Sequence, residues 1–298
     1  MRHPPLTAAA GGALTAAPER DGHRRAWPPP LIAVAHGSSD PKAAATVSEL
    51  MRLVRARAAA AGLPGLQARA AYLSHALPSV PDALAALCPA VCPDQPERYA
   101  RTAVVLPLLL TAAYHSDADL PAVLGQAGAQ LRGLRISYGQ PLGPHQELLH
   151  ALDRRLAEAS VPAAAGTAIV LAAAGSSRPA ANAAVARTAA AWQRASGWAA
   201  VVPAYASAAG PRPGDAVASL LRAGARRVAV ATYLLAPGAF ADQIRERSLA
   251  AGASAVSAPL GAAPEVADVI IERYLQAAGL AAGVARGAAE AIGSPAVP

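Results

Sequence analysis

Two histidines lie just beyond predicted buried strands, and imidazole is the side chain there with the widest chemistry. His36 directly follows the apolar run Leu31–Ala35, and His115 lies in the loop after a second apolar run, residues 102–110. Neutral imidazole binds Fe²⁺, Co²⁺, Ni²⁺ or Zn²⁺ and also accepts protons near neutral pH. Taken alone, either histidine is better explained as a surface or capping residue. Because both stand at strand ends, together they predict one metal-binding or proton-accepting site.

The other candidate residues lie in neighbouring loops. Gly37, Ser38 and Ser39 either cradle an anion with backbone N–H groups and hydroxyls or form a turn and helix N-cap. Asp119 precedes a predicted helix that opens with proline, so it is a natural N-cap. His75 follows the second predicted strand and is the one candidate for a third wall of the site.

The pattern of apolar residues predicts the elements that position these side chains. Short apolar runs without polar alternation predict strands at residues 31–35, 66–73, 102–110, 135–138, 169–173, 200–204 and 228–235. Longer alanine- and arginine-rich stretches predict helices at 43–61, 78–87, 120–131, 145–159, 180–195, 215–222, 239–250 and 265–275. Buried strands separated by helices indicate an α/β, doubly wound fold with parallel sheets covered on both faces.

The same order of elements occurs twice, and the sequences of the two halves agree. Residues 35–41, AHGSSDP, align with residues 173–179, AAGSSRP, and QPLG at 140–143 aligns with APLG at 258–261. Such repetition predicts two similar halves. In open α/β sheets ligands bind outside the carboxyl ends of the strands, so we expect one cleft between the halves.

Domain boundaries follow from this alignment. The first α/β half is predicted at residues 30–160 and the second at 166–278, with tails at 1–29 and 279–298 predicted to be disordered. Ala174 and Phe240 take the positions of His36 and His115 in the second half. Because histidines needed for folding would be expected in both halves, their restriction to the first predicts a single asymmetric site.

Composition excludes several classes of protein. The 298 residues carry a net charge of +7 but show no basic stripe interleaved with aromatic residues, so nucleic acid is not expected as a partner. No apolar run reaches the roughly 20 residues that a membrane span needs. The only two cysteines, Cys88 and Cys92, exclude a disulfide scaffold and are interpreted as plain cytosolic thiols. We therefore expect a cytoplasmic protein, and the sequence gives no sign of its oligomeric state.

The motifs resemble those of a known family, the sirohydrochlorin chelatases of the CbiX/SirB type. The likeness rests on three segments: residues 32–38 (IAVAHGS), residues 71–85 with Pro-Ser at 78–79, and residues 104–121. The last contains Tyr114 and the pattern H-x₃-D-L-P from His115 to Pro121. The resemblance covers residues 31–275, more strongly in the first half. It implies a lyase that inserts Fe²⁺ or Co²⁺, as substrate, into a tetrapyrrole in siroheme or cobalamin biosynthesis, without an organic cofactor.

The resemblance also implies roles for particular residues. His36 and His115 are expected to hold the metal and accept pyrrole protons. The predicted substrate-binding residues are Gly37, Ser38, Ser39, His75, Tyr114 and Asp119. Relatives often carry an acidic residue after the second strand, where this chain has Ser74 and His75, so His75 is a candidate replacement.

Two other functions are compatible with a histidine after the first strand. A histidine phosphatase uses Arg-His-Gly, and Ala35 stands where that arginine would bind phosphate, which makes phosphoryl transfer the weaker hypothesis. A non-catalytic carrier of metal or tetrapyrrole would use the same two histidines, and only binding without insertion distinguishes it from a chelatase.

Overall fold

The structure, a computed structural model, describes residues 28–87, 101–111, 120–131, 134–161 and 166–279. Its first half contains strands β1 (Leu31–Ala35), β2 (Ala68–Tyr72), β3 (Arg101–Pro107) and β4 (Leu134–Tyr138). Between and after them lie helices α1 (Pro41–Ala60), α2 (Val80–Ala85), α3 (Leu120–Gln130) and α4 (Gln146–Glu158). The four strands form a parallel sheet in the order β2-β1-β3-β4.

The second half repeats this plan. Its strands are β5 (Thr167–Ala173), β6 (Ala200–Tyr205), β7 (Arg227–Tyr233) and β8 (Ala255–Val256), and they pair in parallel in the order β6-β5-β7-β8. Its helices are α5 (Pro179–Ala195), α6 (Pro213–Arg222), α7 (Ala239–Ala250) and α8 (Pro264–Ala277). The predicted doubly wound α/β fold with two similar halves is confirmed.

Within each sheet, the strands pair in the same register at corresponding residues of the two halves. In the first sheet Val34 lies opposite Pro107, and in the second sheet Ala172 lies opposite Thr232. These pairs are equivalent in the sequence alignment of the halves. The carboxyl ends of corresponding strands therefore occupy corresponding places in both sheets.

Local sequence accounts for where several elements begin. All five residues of β1 are buried, as expected for a parallel strand covered on both faces. Helix α1 begins with proline after Asp40, whose carboxylate accepts a hydrogen bond of 2.9 Å from the backbone N–H of Lys42. Helix α4 begins after His145, which lies at the N-cap, where Nδ1 accepts from the backbone N–H of Glu147.

Alternate residues of the strands face two different cores. Leu31, Ala33 and Ala35 of β1 point into a core shared by both halves, whereas Ile32 and Val34 point into an outer core beneath α2 and α3. The second half has an outer core of its own beneath α6 and α7. The molecule is therefore layered, with the shared core in the middle.

The halves exchange their last helices across this shared core. Helix α8 packs against α1, α4 and β3 of the first half, and α4 packs against β7 of the second. The hydroxyl of Tyr274 on α8 donates a hydrogen bond of 2.7 Å to the carbonyl oxygen of Pro29, just before β1. The exchange fixes the orientation of the two sheets relative to each other.

None of the helices within the described ranges is long and apolar enough to cross a membrane. The expected cytoplasmic location stays a prediction.

Candidate functional site

The backbone of His36 is held at the carboxyl end of β1 by the segment that follows β2. The carbonyl oxygen of His36 accepts hydrogen bonds from the backbone N–H of Ser74 at 3.0 Å and from its hydroxyl at 3.1 Å. The pairing of β1 and β2 thus continues one step beyond the strands. The residue is exposed and lines the cleft between the halves.

Gly37 makes the close approach of these two segments possible. Its φ is +96°, and a Cβ built on it would lie 1.7 Å from the carbonyl oxygen of Ser74. No side chain fits there. Gly175, the equivalent residue of the second half, has a φ of +85° and would meet the carbonyl oxygen of Ser207 at 2.0 Å. The tight turn is therefore a property of the repeat, and the imidazole is what distinguishes the first half.

Ser38 and Asp40 form a turn and the N-cap of α1. This agrees with one of the two interpretations of the loop after β1, the turn and helix cap. The Ser38 hydroxyl accepts a hydrogen bond of 3.1 Å from the backbone N–H of Asp40, whose carboxylate caps α1. Ser38 and Ser39 also line the cleft. Their contact with an anionic substrate stays a prediction.

His75 lies at the same sheet edge as His36 and also lines the cleft. It has a positive φ of 59°, as does Ala208 with 58° at the corresponding position of the second half. The left-handed backbone is again part of the repeat, and the exposed imidazole belongs to the first half alone. In the part of the chain that the structure describes, no three histidine, cysteine, aspartate or glutamate residues are grouped so that they could hold a metal ion.

The end of β3 forms the third side of this region. The backbone N–H of Leu108 donates to the carbonyl oxygen of Val34 at 2.7 Å, so β1 and β3 stay together to their carboxyl ends. Leu108, Leu109, Leu110 and Thr111 line the cleft.

Three predicted site residues, Tyr114, His115 and Asp119, lie outside the described residues, as do Cys88 and Cys92. The convergence of His36 and His115 therefore stays a prediction.

Residues of the second half complete the cleft, and sequence reasoning missed them. The Asn182 amide accepts a hydrogen bond of 3.0 Å from the backbone N–H of Ser176 and donates one of 2.7 Å to the carbonyl oxygen of the same residue. Tyr205 donates its hydroxyl to the backbone carbonyl of Asn182 at 2.8 Å. The side-chain amide of Asn182 thus stabilises the loop of the second half that corresponds to the turn after His36. The only signal in the sequence was an asparagine in an otherwise alanine-rich helix.

The cleft is spacious, and most of its lining is small and apolar. It encloses about 700 Å³, and its described lining includes no arginine or lysine. Its polar groups are hydroxyls, amides and the imidazoles of His36 and His75. Burial raises the pKa of Tyr233, which lies beneath the cleft, so this phenol stays protonated and serves as a hydrogen-bond donor.

Helix N-termini supply the positive potential that the described lining side chains lack. Helices α5 and α7 both begin beside the cleft, after Arg178 and Gly238, and neither has a side-chain cap. At α7 the N–H groups of the first turn and the helix dipole favour anions. At α5 the dipole acts with fewer donors, because Pro179 has no N–H and the N–H of Ala181 donates to the carbonyl oxygen of Arg178.

A second cavity of about 850 Å³ lies away from the strand ends, between α4 and α5. Its distinctive group is Asp153, whose carboxylate accepts hydrogen bonds from the indole N–H groups of Trp192 and Trp198 at 3.2 and 3.3 Å. Burial raises the pKa of Asp153 above its usual 3.8, although the two indoles and the charge of His150 oppose the shift. This cavity contains none of the predicted site residues.

Comparison with known proteins agrees with this architecture of two facing α/β halves. The CbiX family model matches residues 30–159 and again residues 168–277. The chain therefore belongs to the CbiX family, and both halves match its model.

Among curated proteins, the chain is similar to a sirohydrochlorin cobaltochelatase of Priestia megaterium, with 28% identity over 49% of this chain and 49% of that protein. It is also similar to a sirohydrochlorin ferrochelatase of Bacillus subtilis (strain 168), with 29% identity over 47% of this chain and 53% of that protein. Each match spans about half the length of the curated relative. The solved structure of SirB from Bacillus subtilis with Fe³⁺ shares the fold, with a TM-score of 0.70, 24% identity, and coverage of 85% of this chain and 97% of that one.

Proposed function

We propose that the protein is a sirohydrochlorin chelatase that inserts Fe²⁺ or Co²⁺ into the tetrapyrrole. The proposal rests on the asymmetry of the cleft. Two equivalent turns, at Gly37 and Gly175, line it, and of these only the first bears an imidazole, that of His36. Family membership supports the choice of substrate, because curated relatives include both a cobaltochelatase and a ferrochelatase.

The reaction requires groups that exchange a metal ion for protons. Two pyrrole N–H bonds break and the metal forms bonds to the freed nitrogens, so two protons must be carried away. An imidazole that releases the metal gains a lone pair able to accept one of these protons. We assign this role to His36 and His115, and we assign to His75, at the same sheet edge as His36, the transfer of protons to solvent.

The shape and polarity of the cleft suit a large, flat polycarboxylate. Its volume of about 700 Å³ and its apolar lining accommodate a macrocycle. The N-terminus of α7, which has no side-chain cap, offers N–H donors to carboxylates on the substrate rim. The hydroxyls of Ser38, Ser39 and Ser176 add further donors.

The test is an insertion assay followed by the absorbance of sirohydrochlorin, with Co²⁺ in air-equilibrated buffer and with Fe²⁺ under anaerobic conditions. We expect the wild-type protein to accelerate insertion, and His36→Ala and His115→Ala each to lower the rate by about 10²-fold or more. The matched control is His150→Ala, an exposed histidine on α4 outside the cleft, which should retain full activity. Wild-type rates in the double variant His36→Ala/His115→Ala would exclude the mechanism.

The same samples distinguish the alternatives. A carrier would bind sirohydrochlorin or Co²⁺ but leave the spontaneous insertion rate unchanged. A phosphatase would hydrolyse a generic aryl phosphate, and we expect no such activity because Ala35 replaces the arginine that binds phosphate in those enzymes.

A further inference from the structure

Phe240 is the single phenylalanine of the chain, and it is left open to solvent inside the cleft. It lies in the first turn of α7, lines the cleft and is 46% exposed. Three other large hydrophobic residues are exposed in the described chain, Leu77, Tyr138 and Leu249, and none of them lines the cleft. An aromatic ring kept in water at the edge of a cavity indicates a surface that a ligand covers.

The position of Phe240 is defined by the repeat. Pro107 and Thr232 are equivalent by sheet register, and the same number of residues leads from Pro107 to His115 as from Thr232 to Phe240. The second half thus has an apolar ring where the first half has an imidazole. A phenyl ring neither binds a metal ion nor accepts a proton, so this position of the second half serves some other purpose.

The loop that carries Phe240 is fixed close to the wall that bears His36. Gly238, the N-cap of α7, has a φ of 145°, and a Cβ built on it would lie 3.4 Å from the hydroxyl oxygen of Ser38. At the start of the same loop, the Tyr233 hydroxyl donates to the carbonyl oxygen of Leu110 at 3.2 Å. The close approach of Gly238 to Ser38 and the hydrogen bond of Tyr233 both cross from the second half to the first, so the segment that leads to Phe240 is held beside the cleft.

We propose that Phe240 is a substrate-binding residue whose ring packs against one face of the tetrapyrrole macrocycle. The other face is then presented to the wall that carries His36, from which the metal ion enters. The inference rests on the proposed function, and it assigns to the second half the binding of one face of the substrate. The ring lies against conjugated carbon atoms, which leaves the pyrrole nitrogens free to exchange protons for metal.

The test measures tetrapyrrole binding without metal, so that it is independent of insertion. Quenching of sirohydrochlorin fluorescence by the metal-free protein gives a dissociation constant for the wild type and for each variant. We expect Phe240→Ala to raise this constant about tenfold, because packing of an aromatic side chain on a flat conjugated ring contributes about that factor or more. Phe240→Tyr keeps the ring and should bind within about twofold of the wild type.

The matched control is Leu249→Ala, which removes an equally exposed apolar side chain from the same helix. Leu249 lies two and a half turns from Phe240, so it faces the opposite side of α7, and its variant should bind as the wild type does. Binding of Co²⁺ alone should be unchanged in Phe240→Ala, since no imidazole is altered. Circular dichroism melts should show that all three variants fold, as substitution at exposed positions predicts.

The outcomes separate this inference from the proposed function. Unchanged sirohydrochlorin binding by Phe240→Ala overturns the role of the ring, as does equal weakening by Leu249→Ala. If the wild-type protein itself does not bind sirohydrochlorin, the proposed function fails and the inference with it. If Phe240→Ala unfolds, Phe240→Leu replaces it, and wild-type affinity in that variant equally overturns the role of an aromatic ring.

Discussion

The hydroxyl of Tyr233 donates a hydrogen bond to the carbonyl oxygen of Leu110, joining the end of β7 in one half to the segment just after β3 in the other. Leu110 lies in the segment that leads to His115. A Cβ on Gly143 would lie 2.1 Å from the same carbonyl oxygen and 2.7 Å from the Tyr233 hydroxyl, so three segments meet here at close range. The contact ties the second half to the beginning of the segment that follows β3.

Tyr233→Phe is expected to lower both stability and metal insertion. It leaves the carbonyl oxygen of Leu110 without this donor, which costs about 1 kcal/mol in the free energy of unfolding. Tyr205→Phe is the matched control, because Tyr205 does not line the cleft and its hydroxyl bonds within the second half, to the backbone carbonyl of Asn182. Urea unfolding should show similar losses for both variants, whereas the insertion assay should show a slower rate for Tyr233→Phe alone. Equal insertion rates would contradict the positioning role.

Gly37→Ala should unfold part of the site as well as destabilise the protein. Gly37 has a φ of +96°, and a Cβ would lie 1.7 Å from the Ser74 carbonyl oxygen, so we expect the free energy of unfolding to fall by about 2 kcal/mol or more. Gly62→Ala is the control. Gly62 has a φ of +80°, but no neighbouring atom lies within 4 Å of the position of a Cβ, so only backbone strain acts and the free energy of unfolding should fall less. The measurements are thermal unfolding and the binding of Co²⁺.

Gly175→Ala separates the turn from the imidazole. Its Cβ would meet the Ser207 carbonyl oxygen at 2.0 Å, so we expect a loss of stability similar to that of Gly37→Ala. Because its turn carries Ala174 instead of a histidine, Co²⁺ binding should survive in Gly175→Ala and fall only in Gly37→Ala. Loss of Co²⁺ binding in both variants at temperatures where both are folded would argue against His36 as the ligand.

Glu265→Gln should weaken the packing of α8 on α4 in a pH-dependent way. Burial tends to raise the pKa of Glu265, but hydrogen bonds from Arg154 and a backbone N–H, with the charges of Arg154 and Arg155, hold it below its usual 4.5. A lowered pKa stabilises the fold above the usual value, and this contribution is lost as the pH falls through the native pKa.

The variant should therefore lose about 2 kcal/mol in the free energy of unfolding near pH 7, and the deficit should shrink below about pH 4.5. The control is Asp268→Asn, which breaks the ion pair with Arg57. The side chains of this pair are 40% (Arg57) and 42% (Asp268) exposed. Asp268→Asn should cost about 1 kcal/mol or less. Urea unfolding across pH 3 to 7 tests both, because urea adds no ions that screen the pairs. A deficit for Glu265→Gln that does not change with pH would show that the lost interaction is not ionic.

Asp153→Asn should have the opposite pH dependence. Burial raises the pKa of Asp153 above its usual 3.8, so the native state holds this proton more tightly than the unfolded state does. The stability that the raised pKa contributes is full below about pH 3.8 and is lost as the pH rises through the native pKa. The stability of Asp153→Asn relative to the wild type should therefore increase from pH 3.5 to pH 7, as followed by urea unfolding. A relative stability that falls over this range would contradict the burial of a charged carboxylate.

Local patterns in the sequence were sufficient to place most elements. Helix α7 was predicted at residues 239–250 and spans Ala239–Ala250, and β1 likewise matches at both ends, because each has a clear signal along the chain itself. Strand β8 was missed, since two residues, Ala255 and Val256, form no apolar run that a pattern can detect. His145 was predicted within a helix and instead caps it, which shifts the boundary by one residue.

The sequence also determined that the molecule has two equivalent halves and that one of them carries His36 and His75 at a sheet edge. Those conclusions needed only the period of apolar residues and a comparison of the chain with itself, and both are properties of short segments. The exchange of α4 and α8, the contact of Tyr233 with Leu110 and the position of Phe240 in the same cleft as His36 were decided by the tertiary structure. They depend on how surfaces far apart in the sequence fit together, and no local pattern encodes that fit.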